Sequence, residues 1–328
     1  MKKLVYLLVI VSCWNCSHDA GKKKNYSASE KVINVHEKVK EIPMEEVLIG
    51  SMTFSYIMDD YLIIHDLDSQ DTLVHFINKN NFKYVNSAIR RGQGPGEITY
   101  LYHIGIDEAK RIFYVSDYGK QMIFSYNLDS VLANQPYMPK EKMNMKGRPF
   151  PISYQYFNDT LCIGRFIDTA FKETVAKWNM TTGEMVPMKY EHPEIEDKIA
   201  YIASSLEHGI YVECYQNYDL MSICSLNGEL KYNLYGPTWT SRKSRESYFL
   251  HVEFCGDKIF ALYYSKEDTN AELPSKFLVF NTSGDHIQTL ETGYEMYRFC
   301  YDKDNNRIIM SMDDDFQFAY LDLDEVGM

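Results

Sequence analysis

A polar turn recurs along this chain at intervals of about 49 residues, and this spacing limits the folds that the chain can adopt. Each copy contains Asp, Asn, Glu or Gly and separates two apolar runs. The copies are centred near residues 59, 108, 158, 207, 256 and 304. Such regular spacing indicates a fold built from six copies of one supersecondary unit.

Each unit is predicted to form four strands of one antiparallel sheet. A second run follows the turn, and third strands are predicted at residues 72–77, 121–126, 174–179, 220–226, 276–281 and 316–321. A weaker fourth run follows in most units, as at residues 82–89 and 230–235. The second runs are apolar at consecutive positions, which favours strands covered on both faces over short buried helices. About four strands in roughly 50 residues is typical of a propeller blade.

The sequence therefore predicts an all-β fold, a six-bladed β-propeller with four-stranded antiparallel blades, over residues 30–328. The sixth unit contains three predicted strands, which would leave one edge of its sheet unpaired. Residues 31–35 (KVINV) lie upstream of the first unit and have the pattern of a strand. We expect this N-terminal strand to close the last blade.

The N-terminus has the pattern of a signal peptide, predicted over residues 1–12. Lys2 and Lys3 precede an apolar run that is far shorter than the roughly 20 residues of a transmembrane helix. The sequence IVSC, which ends at Cys13, resembles a bacterial lipobox. That resemblance implies cleavage before Cys13, diacylation of its sulfur, palmitate or a similar chain on the new amino group, and Cys16 as the alternative attachment site. Residues 13–29 are polar and are predicted to form a flexible tether.

These features predict a lipid-anchored protein of the cell envelope, expected at the outer membrane, with the periplasmic or surface face left open. The membrane is then a partner through the lipid anchor. The chain has 34 basic and 46 acidic side chains and a net charge of −12. Because this charge repels phosphates, we expect no nucleic acid partner.

Residues 90–130 contain a G-x-GPGE turn, followed by a strand pair that ends in the pattern Y-V-x-D. The turn residues are Gly92, Gly94, Pro95, Gly96 and Glu97, and the second pattern is carried by Tyr114, Val115 and Asp117. This segment resembles the TolB-like six-bladed propeller lipoproteins of Bacteroides-type bacteria. The resemblance implies the fold and the lipid anchor but no activity, because that family is largely of unassigned function.

The glycine-rich turn has two interpretations, a phosphate cradle or a structural reversal between blades. Pro95 has no N–H to offer a phosphate, and Glu97 places a negative charge at the same point. The sequence favours the structural turn, with the Glu97 carboxylate accepting hydrogen bonds from loop amides.

The sequence predicts no cofactor, no metal site and no assigned catalytic residue. None of the nine histidines has a zinc-binding spacing, but His103 and His251 fall in first strands, which line the channel of a propeller. Residues 302–306 imitate the start of a calcium loop, yet Arg307 stands where its glycine belongs, so a hairpin turn is favoured. Cys214 and Cys224 flank one turn at unequal distances, which favours free buried thiols over a disulfide.

We expect a non-enzymatic binding or scaffold module whose ligand is unknown. An envelope protein, a glycan or a peptide would be a suitable partner, and the long connection that carries Trp239 and basic residues 242–245 is a candidate binding loop. The alternative is a hydrolase or lyase with a metal or carboxylate site at the propeller axis. The sequence does not indicate an oligomeric state.

Overall fold

The structure is a computed structural model that describes residues 22–133, 137–196, 198–264 and 273–328. The N-terminal segment forms three short strands, β1 (Lys23–Asn25), β2 (Val32–Asn34) and β3 (Val39–Glu41). The first sheet contains β4 (Thr53–Met58), β5 (Tyr61–Asp66), β6 (Thr72–Asn78) and β7 (Tyr84–Arg90). The second contains β8 (Leu101–Asp107), β9 (Ile112–Asp117), β10 (Met122–Asn127) and β11 (Lys140–Asn144). The third contains β12 (Phe150–Asn158), β13 (Leu161–Ile167), β14 (Glu173–Trp178) and β15 (Met185–Pro187).

Three further sheets complete the fold. The fourth contains β16 (Ala200–Ser205), β17 (Ile210–Tyr215), β18 (Leu220–Ser225) and β19 (Leu230–Tyr235). The fifth contains β20 (Phe249–Cys255), β21 (Lys258–Tyr263), β22 (Lys276–Asn281) and β23 (His286–Glu291). The sixth contains β24 (Met296–Asp302), β25 (Arg307–Met312) and β26 (Phe318–Asp322). One short helix, α1 (Leu128–Leu132), follows β10, and single 3₁₀ turns lie at His36–Lys38, Glu108–Lys110 and Asp324–Val326.

The chain is a six-bladed β-propeller. Within each sheet, consecutive strands of one repeat pair antiparallel. Each of the six predicted turns joins the first and second strands of a blade, and the predicted third strands agree with the observed ones to within about two residues at each end. The predicted fold class is therefore confirmed.

Within the described residues, an apolar layer fills the space between each pair of neighbouring blades, and a smaller cluster lies in blade four. Between blades one and two, for example, the Phe76 and Phe113 rings lie 6.0 Å apart. The last layer packs Leu62 and Ile64 of blade one against Ile309 and Phe318 of blade six, which closes the ring. The second strands are buried at consecutive positions, as in β9 and β21, because a blade covers each face.

The last blade is completed by β3, which pairs antiparallel with β26. The prediction that residues 31–35 supply this strand is wrong, since β2 instead pairs parallel with β23 as a fifth strand of blade five. Among residues 31–35 the buried apolar side chain is Val35, which lies between blades five and six, whereas Val32 and Ile33 are exposed. The true closing strand is an edge strand with one apolar residue, Val39, so it carries almost no hydrophobic pattern.

The predicted tether also extends too far along the chain. Within it, β1 pairs parallel with β19 as a fifth strand of blade four, and Tyr26 is 6% exposed. The Tyr26 hydroxyl donates to Asp219 Oδ1 at 2.6 Å. The propeller therefore begins before residue 30. The sequence did not indicate β1 because this strand is polar and is held by backbone pairing and by the buried ring of Tyr26. Residues 1–21, including Cys13 and Cys16, lie outside the described residues.

Candidate ligand-binding site

The innermost strands of all six blades surround a cavity of about 320 Å³ on the propeller axis, here called the axial cavity. Its walls come from β4, β8, β12, β16, β20 and β24, together with Arg165 from β13. This volume falls at the lower end of the range of small-molecule pockets. The polar and charged side chains that line it are Ser55, Tyr56, Tyr102, His103, Ser153, Tyr154, Gln155, Tyr156, Arg165, Tyr201, His251, Glu253, Arg298 and Tyr301.

Bulges in the inner strands aim several of these side chains. In four blades, the inner strand pairs with the second strand of the same blade in a register that shifts near the start of the inner strand. These inner strands are β8, β12, β20 and β24. In each case the shift ends at a residue of the cavity wall: His103, Ser153, His251 and Arg298. Because a bulge inserts one residue and turns the strand, it redirects the side chain that follows it.

His103 holds three inner strands together. Its Nε2–H donates to the Tyr154 carbonyl at 2.7 Å, which leaves Nδ1 to accept from the Tyr56 hydroxyl at 3.4 Å. Burial lowers the pKa of His103 to about 4, so the ring is neutral at physiological pH. Both nitrogens have protein partners, and His103 therefore acts as a structural link in the cavity wall.

Arg298 reaches from blade six to three other blades. Its Nη1 donates to His251 Nδ1 at 3.0 Å, and its guanidinium lies 4.2 Å from the centre of the Phe54 ring and 5.7 Å from that of Tyr201. Because a guanidinium cannot accept a hydrogen bond, His251 must carry its proton on Nε2. Burial and the neighbouring Arg298 hold the pKa of His251 well below its ordinary value.

Glu253 lies on the same strand as His251, and its Oε2 is 3.9 Å from His251 Nε2. Burial raises the pKa of Glu253 from 4.5 to about 8, so its carboxyl is largely protonated at neutral pH. Among the described residues Oε2 has no hydrogen-bond partner and is inaccessible to solvent. A buried polar oxygen without a partner costs stability.

The two arginines of the cavity differ in their charge balance. Arg165 donates from Nε and Nη2 to Glu173 Oε2 at 3.1 and 2.7 Å, so its charge is neutralised. No carboxylate within the described parts of the chain forms an ion pair with Arg298. With His103, His251 and Glu253 neutral, the axial cavity carries one uncompensated positive charge in a protein whose net charge is −12.

The glycine-rich turn lies between blades one and two, outside this cavity. Glu97 Oε2 accepts from the Gly94 amide at 2.8 Å, and a Cβ on Gly92 would lie 2.1 Å from the same oxygen. Gly96 has a φ of +77°, which glycine adopts at low cost. The carboxylate thus folds back on its own loop, at the point where a bound phosphate would need the amides.

The calcium-like turn between β24 and β25 is occupied by protein cations. Lys79 is almost fully buried, and its Nζ lies 2.9 Å from Asp302 Oδ1 and also contacts Asp304. Arg307 Nε donates to the other oxygen of Asp302 at 3.0 Å. This network joins blade one to blade six and explains the acidic turn without a metal ion.

The remaining candidates also lie away from the axial cavity. Cys214 and Cys224 are free and buried, opposite Met221 and Tyr211 rather than each other. Trp239 packs among aromatic rings near β19, and the basic loop that follows it borders a shallow depression beside Asp219. Within the described ranges, no three or more His, Cys, Asp and Glu side chains are close enough to hold a metal ion. None of the helices described there is long and apolar enough to cross a membrane.

The comparisons with known proteins agree with the propeller fold. A family model described as DUF5128, 6-bladed beta-propeller, matches residues 24–146. A member of the DUF4221 family from Bacteroides vulgatus superposes with a TM-score of 0.60 at 12% identity, covering 86% of this chain and 94% of that one. Hydrazine synthase from Kuenenia stuttgartiensis gives a TM-score of 0.55 at 11% identity, with 87% and 81% of the two chains covered.

The U3-55K protein is also similar, with a TM-score of 0.53, 10% identity, and coverage of 87% of this chain and 98% of that chain. No curated protein matches the sequence. At these identities the likeness shows the fold alone. The comparisons support a β-propeller family, while the TolB-like resemblance and the lipid anchor stay predictions.

Proposed function

We propose that this protein is a lipid-anchored binding propeller of the cell envelope, which takes a small molecule into the axial cavity. The observation that carries the proposal is the cavity itself, a space of about 320 Å³ where bulged inner strands bring polar side chains together. Protein interiors are otherwise close-packed, and a cavity where polar groups converge among aromatic rings is the usual form of a small-molecule site.

The polar groups of the wall come from different blades, which suits recognition rather than packing alone. Arg298, Glu253 and Tyr201 belong to blades six, five and four, and Tyr56 belongs to blade one. A few polar groups amid aromatic rings are the usual lining of a small-molecule site. The rigid blades fix these groups in place, so little ordering entropy would oppose binding.

The anchor is proposed at Cys13, with Cys16 as the alternative. From Cys13 to the first described strand at Lys23 there are ten residues, which span at most about 35 Å. Since β1 lies on the outer edge of blade four, that edge would face the membrane. The blades' outer rim, rather than the axial cavity, would then lie nearest the lipid.

The enzyme alternative rests on one observation, the approach of His251 to Glu253 within 3.9 Å. A protonated carboxyl beside a neutral imidazole could act as a general acid. Glu253→Gln distinguishes the two functions, because an enzyme would lose turnover by about 10²-fold or more, whereas a binding protein would keep its ligand.

The test of the proposed function is a binding screen with a cavity-filled variant. Ser153→Phe places a ring in the axial cavity, and Ser241→Phe places the same ring on an exposed loop as a control. Each protein is mixed with a defined library of amino acids, organic acids, sugars and nucleosides, and retained compounds are identified by native mass spectrometry. We expect at least one compound to be retained by the wild type and the control but not by Ser153→Phe. Retention of none, or equal retention by all three proteins, would contradict the proposal.

A further inference from the structure

The strongest constraint on the ligand is the uncompensated charge of Arg298, and the inference below rests on the proposed function. Arg165, in the same wall, is held by Glu173, so the structure shows how this chain pairs an arginine when the role is structural. Arg298 has a neutral histidine as its hydrogen-bond partner instead. A buried charge without a counter-ion is unfavourable, and a bound anion would remove that penalty.

The donors that Arg298 leaves open suit a carboxylate. Within the described residues, this guanidinium donates one hydrogen bond, from Nη1 to His251, although it carries five N–H donors. None of its nitrogens is among the buried atoms that lack a partner, so the unused donors contact the open cavity. The Phe54 ring covers one face of the group at 4.2 Å, which leaves its edge for a bidentate contact.

The rest of the wall indicates the body of the ligand. Tyr201 lies beside both arginines, 5.3 Å from the Arg165 guanidinium and 5.7 Å from that of Arg298. Flat aromatic surfaces stack on aromatic and sugar rings. At about 30 Å³ per water molecule, 320 Å³ holds roughly ten waters, so one ring with its substituents would fit.

We propose that the axial cavity binds a small carboxylic acid that carries one ring, with its carboxylate on the edge of Arg298 and its ring beside Tyr201. Glu253 lies in the same wall, and the exposed part of its side chain would contact the body of the ligand. The proposal specifies a monoanion, since the cavity has one positive charge to offer.

The test uses two pairs of probes that differ in the carboxylate alone: sodium benzoate against benzamide, and sodium glucuronate against glucose. Binding to the full chain is measured by titration calorimetry and by thermal shift at fixed ionic strength. We expect at least one carboxylate to bind more than tenfold more tightly than its neutral counterpart. Arg298→Gln should weaken that carboxylate by about 10- to 100-fold, the value of hydrogen bonds to a charged group. Arg148→Gln, which alters an exposed arginine bound to the Thr182 carbonyl, should leave the affinity unchanged.

Two further measurements test the inference even if Arg298→Gln does not fold. Arg298→Lys keeps the charge but loses the planar fork, and we expect it to bind less tightly than wild type and more tightly than Arg298→Gln. In the wild type, the Arg298 Nε–H resonance of ¹⁵N-arginine-labelled protein should shift on addition of the bound carboxylate.

The outcomes separate this inference from the function on which it rests. If neutral and anionic probes bind equally, and Ser153→Phe removes both, the cavity is a binding site and the carboxylate inference is wrong. If neither carboxylate binds at 50 mM or shifts the Arg298 resonance, the inference is overturned, and the library screen decides the function by itself.

Discussion

The wild-type protein should become less stable to unfolding as the pH rises, and the Glu253→Gln variant should not show this decrease. Burial raises the pKa of Glu253 from 4.5 to about 8 in the folded protein. Between these two values the unfolded chain has released this proton and the folded protein still binds it. The free energy of unfolding therefore falls with rising pH across this window and levels off above pH 8. A glutamine does not titrate, so the variant lacks this slope.

The magnitude follows from the size of the shift. One pKa unit corresponds to 1.36 kcal/mol, so the three units between pH 5 and pH 8 give at most about 4 kcal/mol. The Glu253 side chain is 29% exposed, and this exposed part lines the axial cavity, where water screens the charge. We therefore expect about 2 kcal/mol as the change in the stability difference between wild type and Glu253→Gln.

The assay is urea unfolding of both proteins at pH 5, 6, 7 and 8, with Glu207→Gln as the control on an exposed turn. Near pH 5 the wild type and Glu253→Gln should unfold at similar urea concentrations, and by pH 8 the variant should be the more stable protein. The control should follow the wild type throughout. Parallel curves for wild type and Glu253→Gln from pH 5 to pH 8 would refute the assignment of a protonated carboxyl in the cavity wall.

Three other predictions concern the anchor, the glycine-rich turn and ring closure. Cys13→Ser should abolish incorporation of a labelled fatty acid in a Gram-negative host, whereas Cys16→Ser should not, and the reverse result would move the anchor to Cys16. Gly92→Ala and Glu97→Ala should each lower the free energy of unfolding by about 1.5–3 kcal/mol, and the double variant by no more than either, because both remove one charged hydrogen bond. Lys79→Met should lower the free energy of unfolding by about 3 kcal/mol, because the buried Asp302 carboxylate of the last blade loses one of its cations. An unchanged melting temperature would contradict that role of Lys79.

Much of the fold could be predicted because the buried strands of each repeat have recognisable apolar runs. Second strands such as β9 and β21 are covered on both faces, so their apolar runs stand out between polar turns. The N-terminal strands could not be placed this way. β1 and β3 are held at blade edges by backbone pairing, and backbone hydrogen bonds leave no side-chain pattern in the sequence.

The candidate site was only partly predictable from the sequence. His103 and His251 were expected in the channel from their place in first strands, and both lie in the cavity wall. Arg298 and Glu253 were missed, because a charged residue in a strand normally indicates a solvent-facing position. Alignment of the repeats contains the missing signal: His103 and His251 each lie five residues before the recurring turn, and Arg298 lies six residues before its own. The charge pairing could not be predicted, since it depends on which carboxylates each arginine reaches across blades.

A crystal structure of the wild-type protein with the bound carboxylate from the probe pairs would show whether Arg298 holds the ligand. We expect the two carboxylate oxygens within about 3 Å of the Arg298 nitrogens, with the ring beside Tyr201. The same compound bound on the outer surface, with water alone in the axial cavity, would contradict it.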